Sequence, residues 1–216
     1  MMRLDVSNVT KKIKGKIILD NINLELVSGR IYGFVGENGS GKTMLFRAIS
    51  GLMRLTSGQV SVDGQVLHKD ISVLPGLGII IENAGLYPEL TGFDNLRQLA
   101  KINKKIDDEQ IKESIIRVGL DPDDKRTFRK YSLGMKQRII IAQAIMEKPD
   151  ILMLDEPTNA LDENAVNIVR DIIDEERKRG ALVLIASHNK EDIKLLCDEI
   201  YRVKDGKVIK QEGDIA

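Results

Sequence analysis

GENGSGKT, Gly36 to Thr43, decides how the rest of this chain is read. Gly36 and Gly41 bracket Glu37, Asn38, Gly39 and Ser40, and Lys42 and Thr43 follow at once. Glycines at Gly36, Gly39 and Gly41 let successive backbone N–H groups turn inward, where a Cβ would obstruct them. Such a concave run of N–H groups holds phosphate oxygens. Lys42 supplies a point charge for terminal phosphates, and the Thr43 hydroxyl suits Mg²⁺. Upstream lies IYGFVG (Ile31 to Gly36), apolar with aromatic and β-branched residues, which predicts a buried strand. Downstream, Met44, Leu45, Ala48, Ile49 and Leu52 fall at helical spacing, which predicts a helix over 43–53. Strand, glycine loop and helix together aim a helix N-terminus at an anion.

Bulk properties narrow the classes. The chain has 216 residues, enough for one large domain. Its 33 basic and 33 acidic residues balance, which argues against a dedicated nucleic-acid binder, and no nucleic-acid partner is expected. No apolar run approaches the roughly 18 residues that cross a bilayer. The opening MMRLDVSNVTKK has no apolar signal core, so secretion is not expected. The single cysteine, Cys197, sits among Ile193, Leu195, Leu196 and Ile200, a pattern for a packed thiol. A reducing cytoplasm fits that usage.

Along the chain the character alternates. Leu4, Val6 and Val9, then 17–19 and 22–27, predict antiparallel strands, and 59–62 and 78–81 predict two more. From 84 to 148 the spacing turns helical, over 94–102, 107–118 and 133–146. A β/α rhythm returns with ILMLD, a helix over 163–179, ALVLIAS, a helix over 190–197 and a hairpin about Asp205-Gly206. The expected fold is α/β. A P-loop, RecA-like core over 1–83 and 149–216 carries an antiparallel β subdomain and an inserted α-helical subdomain over 84–148.

Three further segments carry chemistry. ILMLDEP ends an apolar strand in two acids. An Asp at such a strand end helps to hold Mg²⁺ in P-loop enzymes, and Asp155 is the candidate. Glu156, next along, is placed to polarise a water. YSLGMKQR (Tyr131 to Arg138) reads either as a second anion site, with Ser132 as N-cap, Gly134 exposing backbone and Lys136 and Arg138 adding charge, or as a capped core helix. Ser187-His188 ends the ALVLIA strand, where ligands of parallel sheets bind, although a lone His is more often an ordinary surface or core residue than a catalytic one.

Together these segments resemble the ATP-binding subunit of an ABC transporter, over essentially the whole chain and in the family's order. GENGSGKT matches Walker A. YSLGMKQR matches the signature, with Ser132, Leu133 and Gly134 kept and Met135-Lys136 in place of the usual Gly-Gln. LMLDEP matches Walker B, NALD (Asn159 to Asp162) the D-loop, and Ser187-His188 the switch histidine. The resemblance implies ATP hydrolysis with Mg²⁺. Glu156 would be the catalytic carboxylate and His188 would contact the γ-phosphate. Two copies would pair head-to-tail, with Ser132 and Gly134 of one facing the phosphates held by the other. A separate integral membrane permease would place the chain at the cytoplasmic face of a membrane, with Leu86 and Tyr87 either docking there or packing within the helical insert. A soluble relative acting on ribosomes or DNA is the rival class.

Two departures matter. Glu82 stands where the family has glutamine; with SLGMKQR this resembles the bacitracin- and lantibiotic-resistance branch of exporters. A carboxylate there is expected near Mg²⁺ and Glu156, serving as metal ligand and catalytic coupling residue. Ile13 stands near the position of the family's adenine-stacking ring. Base stacking on an aromatic is worth about 1–3 kcal/mol. Its loss predicts weak selection for adenine and measurable GTP turnover beside ATP turnover; strict ATP dependence would refute this.

Overall fold

A computed structural model describes residues 1–81 and 85–211. The chain opens on a long hairpin, β1 (Arg3–Ile13) and β2 (Lys16–Val27), turned by Lys14 and Gly15. Leu4 and Val6 of β1 pair with Leu26 and Leu24 of β2 and share one buried face. Asn8 and Asn21 take left-handed backbone (φ 52° and 50°), a conformation that Asn tolerates better than most residues. The register slips between Val6 and Val9 and again between Val9 and Lys11, opposite Ile22 and Leu19. The two stretches expected at 17–19 and 22–27 are therefore one strand, with an irregularity absorbing the break in alternation.

Next come β3 (Ile31–Val35), α1 (Lys42–Ser50), β4 (Ser57–Val62), β5 (Gln65–Val66) and β6 (Leu77–Ile80). Helix α1 stops before the expected 53. Gly51 takes φ 87° as its C-cap, and Leu67 packs where a Cβ would lie. Three helices follow, α2 (Gly92–Asn103), α3 (Asp108–Arg117) and α4 (Leu133–Ile145). Thr91 and Ser132 cap α2 and α4, and Asp107 with Gln110 forms a capping box on α3. The chain then returns through β7 (Ile151–Asp155), α5 (Glu163–Lys178), β8 (Leu182–Ser187), α6 (Lys190–Leu196), β9 (Glu199–Lys204) and β10 (Lys207–Lys210).

Two sheets result, a four-stranded one in the order β2-β1-β4-β5 and a six-stranded one in the order β10-β9-β3-β8-β7-β6. The first is antiparallel; the second is parallel except for β10 on β9. Strands β3, β7 and β8 are buried on both faces, hence their unbroken apolar runs. Alternate residues feed two cores. Tyr32, Phe34, Leu182 and Leu184 face α1 and the antiparallel sheet; Ile31, Val183 and Ile185 face the remaining helices. Phe34 anchors the first core, edge-on to Phe46 at 5.6 Å and stacked on Tyr201 at 5.5 Å. Cys197 packs beneath β3, where a Cβ at Gly33 would fall 2.7 Å from its Sγ, and burial pushes its thiol up to about 12.

The helical insert is tied to the core by charge and close packing. Arg117 of α3 reaches Glu175 and the buried Glu176 of α5, both at 2.9 Å. Strand β6 presses on α4 through Gly78, where a Cβ would overlap the Ala144 carbonyl oxygen and meet Pro149 at 2.8 Å. Gly78→Ala is expected to cost about 1–3 kcal/mol, the usual effect of overpacking, read as a lower denaturant midpoint. Wild-type stability would overturn the close approach.

Candidate nucleotide site

Parallel pairing brings three loops to one end of the six-stranded sheet. Val35 pairs with Ser187 across β3 and β8, and Asp155 pairs with Ala186 across β7 and β8. The glycine loop, the acidic strand end and the Ser187-His188 turn therefore leave the sheet side by side.

The loop from Gly36 to Thr43 is built as its glycines require. Gly39 and Gly41 take φ 80° and 110°, in the left-handed region. Gly36 is needed for space, because a Cβ there would overlap the Val203 carbonyl oxygen. Gly41 is the N-cap of α1, no side chain caps that end, and its first turn carries no acid. The leading N–H groups are thus left for an anion. Lys42 is only 6% exposed, and its Nζ donates to the carbonyls of Gly36 (2.6 Å) and Glu37 (3.2 Å). Thr43 Oγ1 donates to Asp155 Oδ2 at 2.6 Å. Among the described residues the buried Ser40 hydroxyl has no hydrogen-bond partner. A cavity of about 680 Å³ opens here, lined by Asn38 to Met44, Asp155 and Glu156, with Lys16 to Ile18 and Asp205-Gly206 at its other walls. Its size suits a nucleotide.

Glu156 sits in strained backbone, φ 51°, held by its N–H donating to the Ala186 carbonyl at 2.8 Å. Its side chain faces Lys42 Nζ across 4.0 Å. One carboxylate oxygen, Oε2, gathers three contacts: the Ser187 hydroxyl and the His188 N–H at 3.3 Å each, and His188 Nδ1 at 2.8 Å. A ring nitrogen that close to a carboxylate carries the proton, so Nδ1–H is the donor. His188 is thereby docked on the acid rather than standing alone.

The signature segment lies elsewhere. Ser132 Oγ accepts from the Met135 N–H at 3.2 Å as N-cap of α4, and Leu133 is 69% exposed. A Cβ at Gly134 would stand 3.1 Å from the Ala160 carbonyl, and Gln137 donates to the Pro157 carbonyl at 3.0 Å. Neither Ser132 nor Gly134 lines the cavity of its own chain. The positive charges expected at this helix start have other duties. Arg138 donates to the Gly119 carbonyl at 2.9 Å, closing the end of α3, and Lys136 lies 5.8 Å from the centre of the Phe128 ring. Ile13 is 40% exposed, opposite Lys16 in the hairpin; Ile17, not Ile13, lines the cavity. Glu82, expected as a ligand and coupling residue, lies outside the described residues, as do Asn83 and Ala84.

Sequence reading missed Asp205-Gly206 as a wall of the site, taking it for a hairpin turn alone. The Gly206 N–H donates to the Ser40 carbonyl at 3.2 Å, so that turn braces the glycine loop. It also missed Thr158, Arg170 and Asp192, whose contacts no local pattern displays.

Residues 19–159 match the ABC transporter family. The chain belongs to that family. It is 52% identical to the ABC transporter ATP-binding protein YybJ of Bacillus subtilis, covering 97% of this chain and 96% of that protein. It is 34% identical to the bacitracin transport ATP-binding protein BcrA of Enterococcus faecalis, covering 96% of this chain and 68% of that one. The solved ATP-binding subunit of an ABC transporter superposes with a TM-score of 0.86 at 25% identity, covering 96% and 89% of the two chains. As an ABC ATP-binding protein the chain binds ATP, uses Mg²⁺ and hydrolyses ATP. The donor set fits both. An uncapped helix end, a buried lysine and a buried hydroxyl without a partner suit phosphate, and a hydroxyl beside a carboxylate suits a hard cation. Thr43→Val deletes that hydroxyl while keeping its shape. The Mg²⁺ concentration for half-maximal ATPase is expected to rise roughly tenfold or more, with the melting temperature little changed. An unaltered Mg²⁺ requirement would exclude Thr43 from the metal site.

Proposed function

We propose that this ABC protein works as a head-to-tail pair, each copy completing the other's ATP site, and that the pair powers a separate membrane permease. One observation carries the reading. The start of α4, with Ser132 and Gly134, is a helix N-terminus outside the cavity that Lys42 lines. Two-fold pairing is the symmetric way to bring one copy's α4 onto the other copy's nucleotide. ATP then bridges the pair, its charge met from both sides.

In this reading Lys42, the loop N–H groups and Ser40 bind the phosphates, and Thr43 and Asp155 hold Mg²⁺, which when bound offsets phosphate charge. Glu156 orients the water, and His188 leaves Glu156 for the γ-phosphate. Loss of that phosphate removes the bridge and the pair opens.

Among the described residues, no helix is long and apolar enough to cross a membrane, which fits a separate permease. A groove of about 470 Å³ on the helical insert is a suitable dock. Asn95 holds the backbone of Tyr87 from both sides, at 2.7 and 3.0 Å, while the Tyr87 ring stays 62% exposed. Leu86 packs inward against the core, so of the two residues Tyr87 is the proposed contact. The proposed cargo class is an exported antimicrobial peptide, supported by the 34% identity to the bacitracin transport protein.

The test uses Glu156→Gln, purified with ATP from native membranes. Turnover is expected to fall roughly 10²–10⁴-fold, the usual worth of a general base. ATP should double the protein's mass on gel filtration, and an integral membrane protein should accompany it. Normal hydrolysis would remove Glu156 from its role. A persistent monomer would remove the shared site, and co-purifying RNA in place of a membrane protein would favour the ribosome-acting class.

A further inference from the structure

Asp192 is 2% exposed, a carboxylate buried one helical turn beyond His188. Both of its oxygens are engaged. Oδ2 accepts from Thr158 Oγ1 at 2.6 Å, and Oδ1 accepts from Arg170 Nε at 2.9 Å and Nη2 at 2.6 Å. These residues come from three segments. Thr158 lies two positions past Glu156, Arg170 is on α5, and Asp192 is on α6. The guanidinium fork grips one oxygen by two N–H groups and leaves the other for the hydroxyl.

We propose that Thr158, Arg170 and Asp192 are positioning residues that hold the Glu156 segment against the His188 segment while their direct contact is exchanged. The proposal rests on the reading of Glu156 as the residue that orients water. The two segments meet at three points. At the strand ends, the Glu156 N–H donates to Ala186. Next, the Glu156 carboxylate takes the Ser187 hydroxyl, the His188 N–H and His188 Nδ1, at a histidine side chain more than half exposed. Beyond it lies the Thr158–Asp192 bond, anchored on the buried Asp192. The imidazole contact must break before His188 can face a phosphate and Glu156 a water. The outer two then set the spacing between acid and imidazole. The bond to Ala186 fixes the backbone of Glu156 only, and Thr158 ties the turn that follows to α6.

Arg170 adds reach. The turn from Asn159 to Asp162 runs between Thr158 and α5, so one carboxylate ties the residue before that turn to the body of the helix after it. Asn189 stiffens the other side, its N–H donating to Ser187 Oγ and its side chain capping α6, both at 3.0 Å. A cluster that only added stability would change unfolding and leave turnover alone. A positioning cluster changes turnover at unchanged affinity, because misplacing a reacting group by about an ångström slows reaction by up to roughly 10²-fold.

The experiment compares Thr158→Val, Thr158→Ser, Asp192→Asn and Glu156→Gln in the full chain. Thr158→Val removes one hydroxyl, keeps the shape and leaves the Arg170–Asp192 pair in place. Its kcat for ATP is expected to fall roughly 10- to 100-fold with KM within about twofold. Thr158→Ser should recover most of the loss, and Asp192→Asn should reproduce it. A second readout needs no turnover. His68 and His188 are the two histidines, so the His188 ring signal is resolvable by NMR, and it should shift in Thr158→Val and return in Thr158→Ser. Wild-type kcat in Thr158→Val beside an inactive Glu156→Gln would overturn this proposal alone. Wild-type turnover in Glu156→Gln would overturn the reading beneath it as well.

Discussion

Parallel hydrogen bonding of β8 to β3 on one side and to β7 on the other is the constraint from which the site follows. It sets the ends of three strands level, at Val35, Asp155 and Ser187. The glycine loop, the acid pair and the histidine are far apart in sequence and have no other reason to meet. Burial on both faces makes slippage costly, because a one-residue shift would exchange Phe34 and Leu184 with residues of the opposite core. The local geometry is then completed by short polar contacts. Thr43 joins α1 to β7 through Asp155, and Glu156 joins β7 to the turn after β8 through His188.

The site gathers two adjacent acids beside a triphosphate cradle, an arrangement that is unfavourable without cations. Beside the acids the chain supplies Lys42, nearly sealed from water and solvated by its own loop carbonyls. Phosphate would compete for that ammonium, and a stronger anion-to-cation contact would replace two carbonyl contacts. Glu156 is restrained differently. Its left-handed backbone costs of order 1–3 kcal/mol, offset by the Ala186 hydrogen bond and the three contacts on Oε2. A residue held in strain by replaceable contacts is suited to re-aim when the ligand environment changes.

The sequence was most legible where chemistry is local. The glycine loop, the apolar strands of the parallel sheet and the capped helices could be read because each is dictated by neighbours within a few residues. Reading failed where distant residues decide. Lys136 and Arg138 looked like anion-binding charge at a helix start, yet the ring of Phe128 and the carbonyl end of α3 claim them. Helix α1 stops at a glycine that apolar spacing alone could not weigh, since Leu67 fills the space beside it. The cluster of Thr158, Arg170 and Asp192 was invisible for the same reason. Each residue is unremarkable in its own segment, and only the meeting of α5, α6 and the turn after β7 makes them one group.

That meeting bears on how the two ends of a protomer communicate in the proposed pair. The turn after β7 touches both. On its near side it carries Glu156, which faces the protomer's own Lys42. On its far side the carbonyls of Pro157 and Ala160 lie against Gln137 and Gly134 of α4, the helix start offered to the other copy. A shift of this turn therefore moves a protomer's own acid and the edge it lends its partner together. Thr158 lies within that turn and is tied to the buried Asp192 carboxylate, which restrains the turn. Coupling between two nucleotide sites then needs no long pathway. It needs one short turn whose two sides belong to different sites, and a hydrogen bond that keeps it stiff.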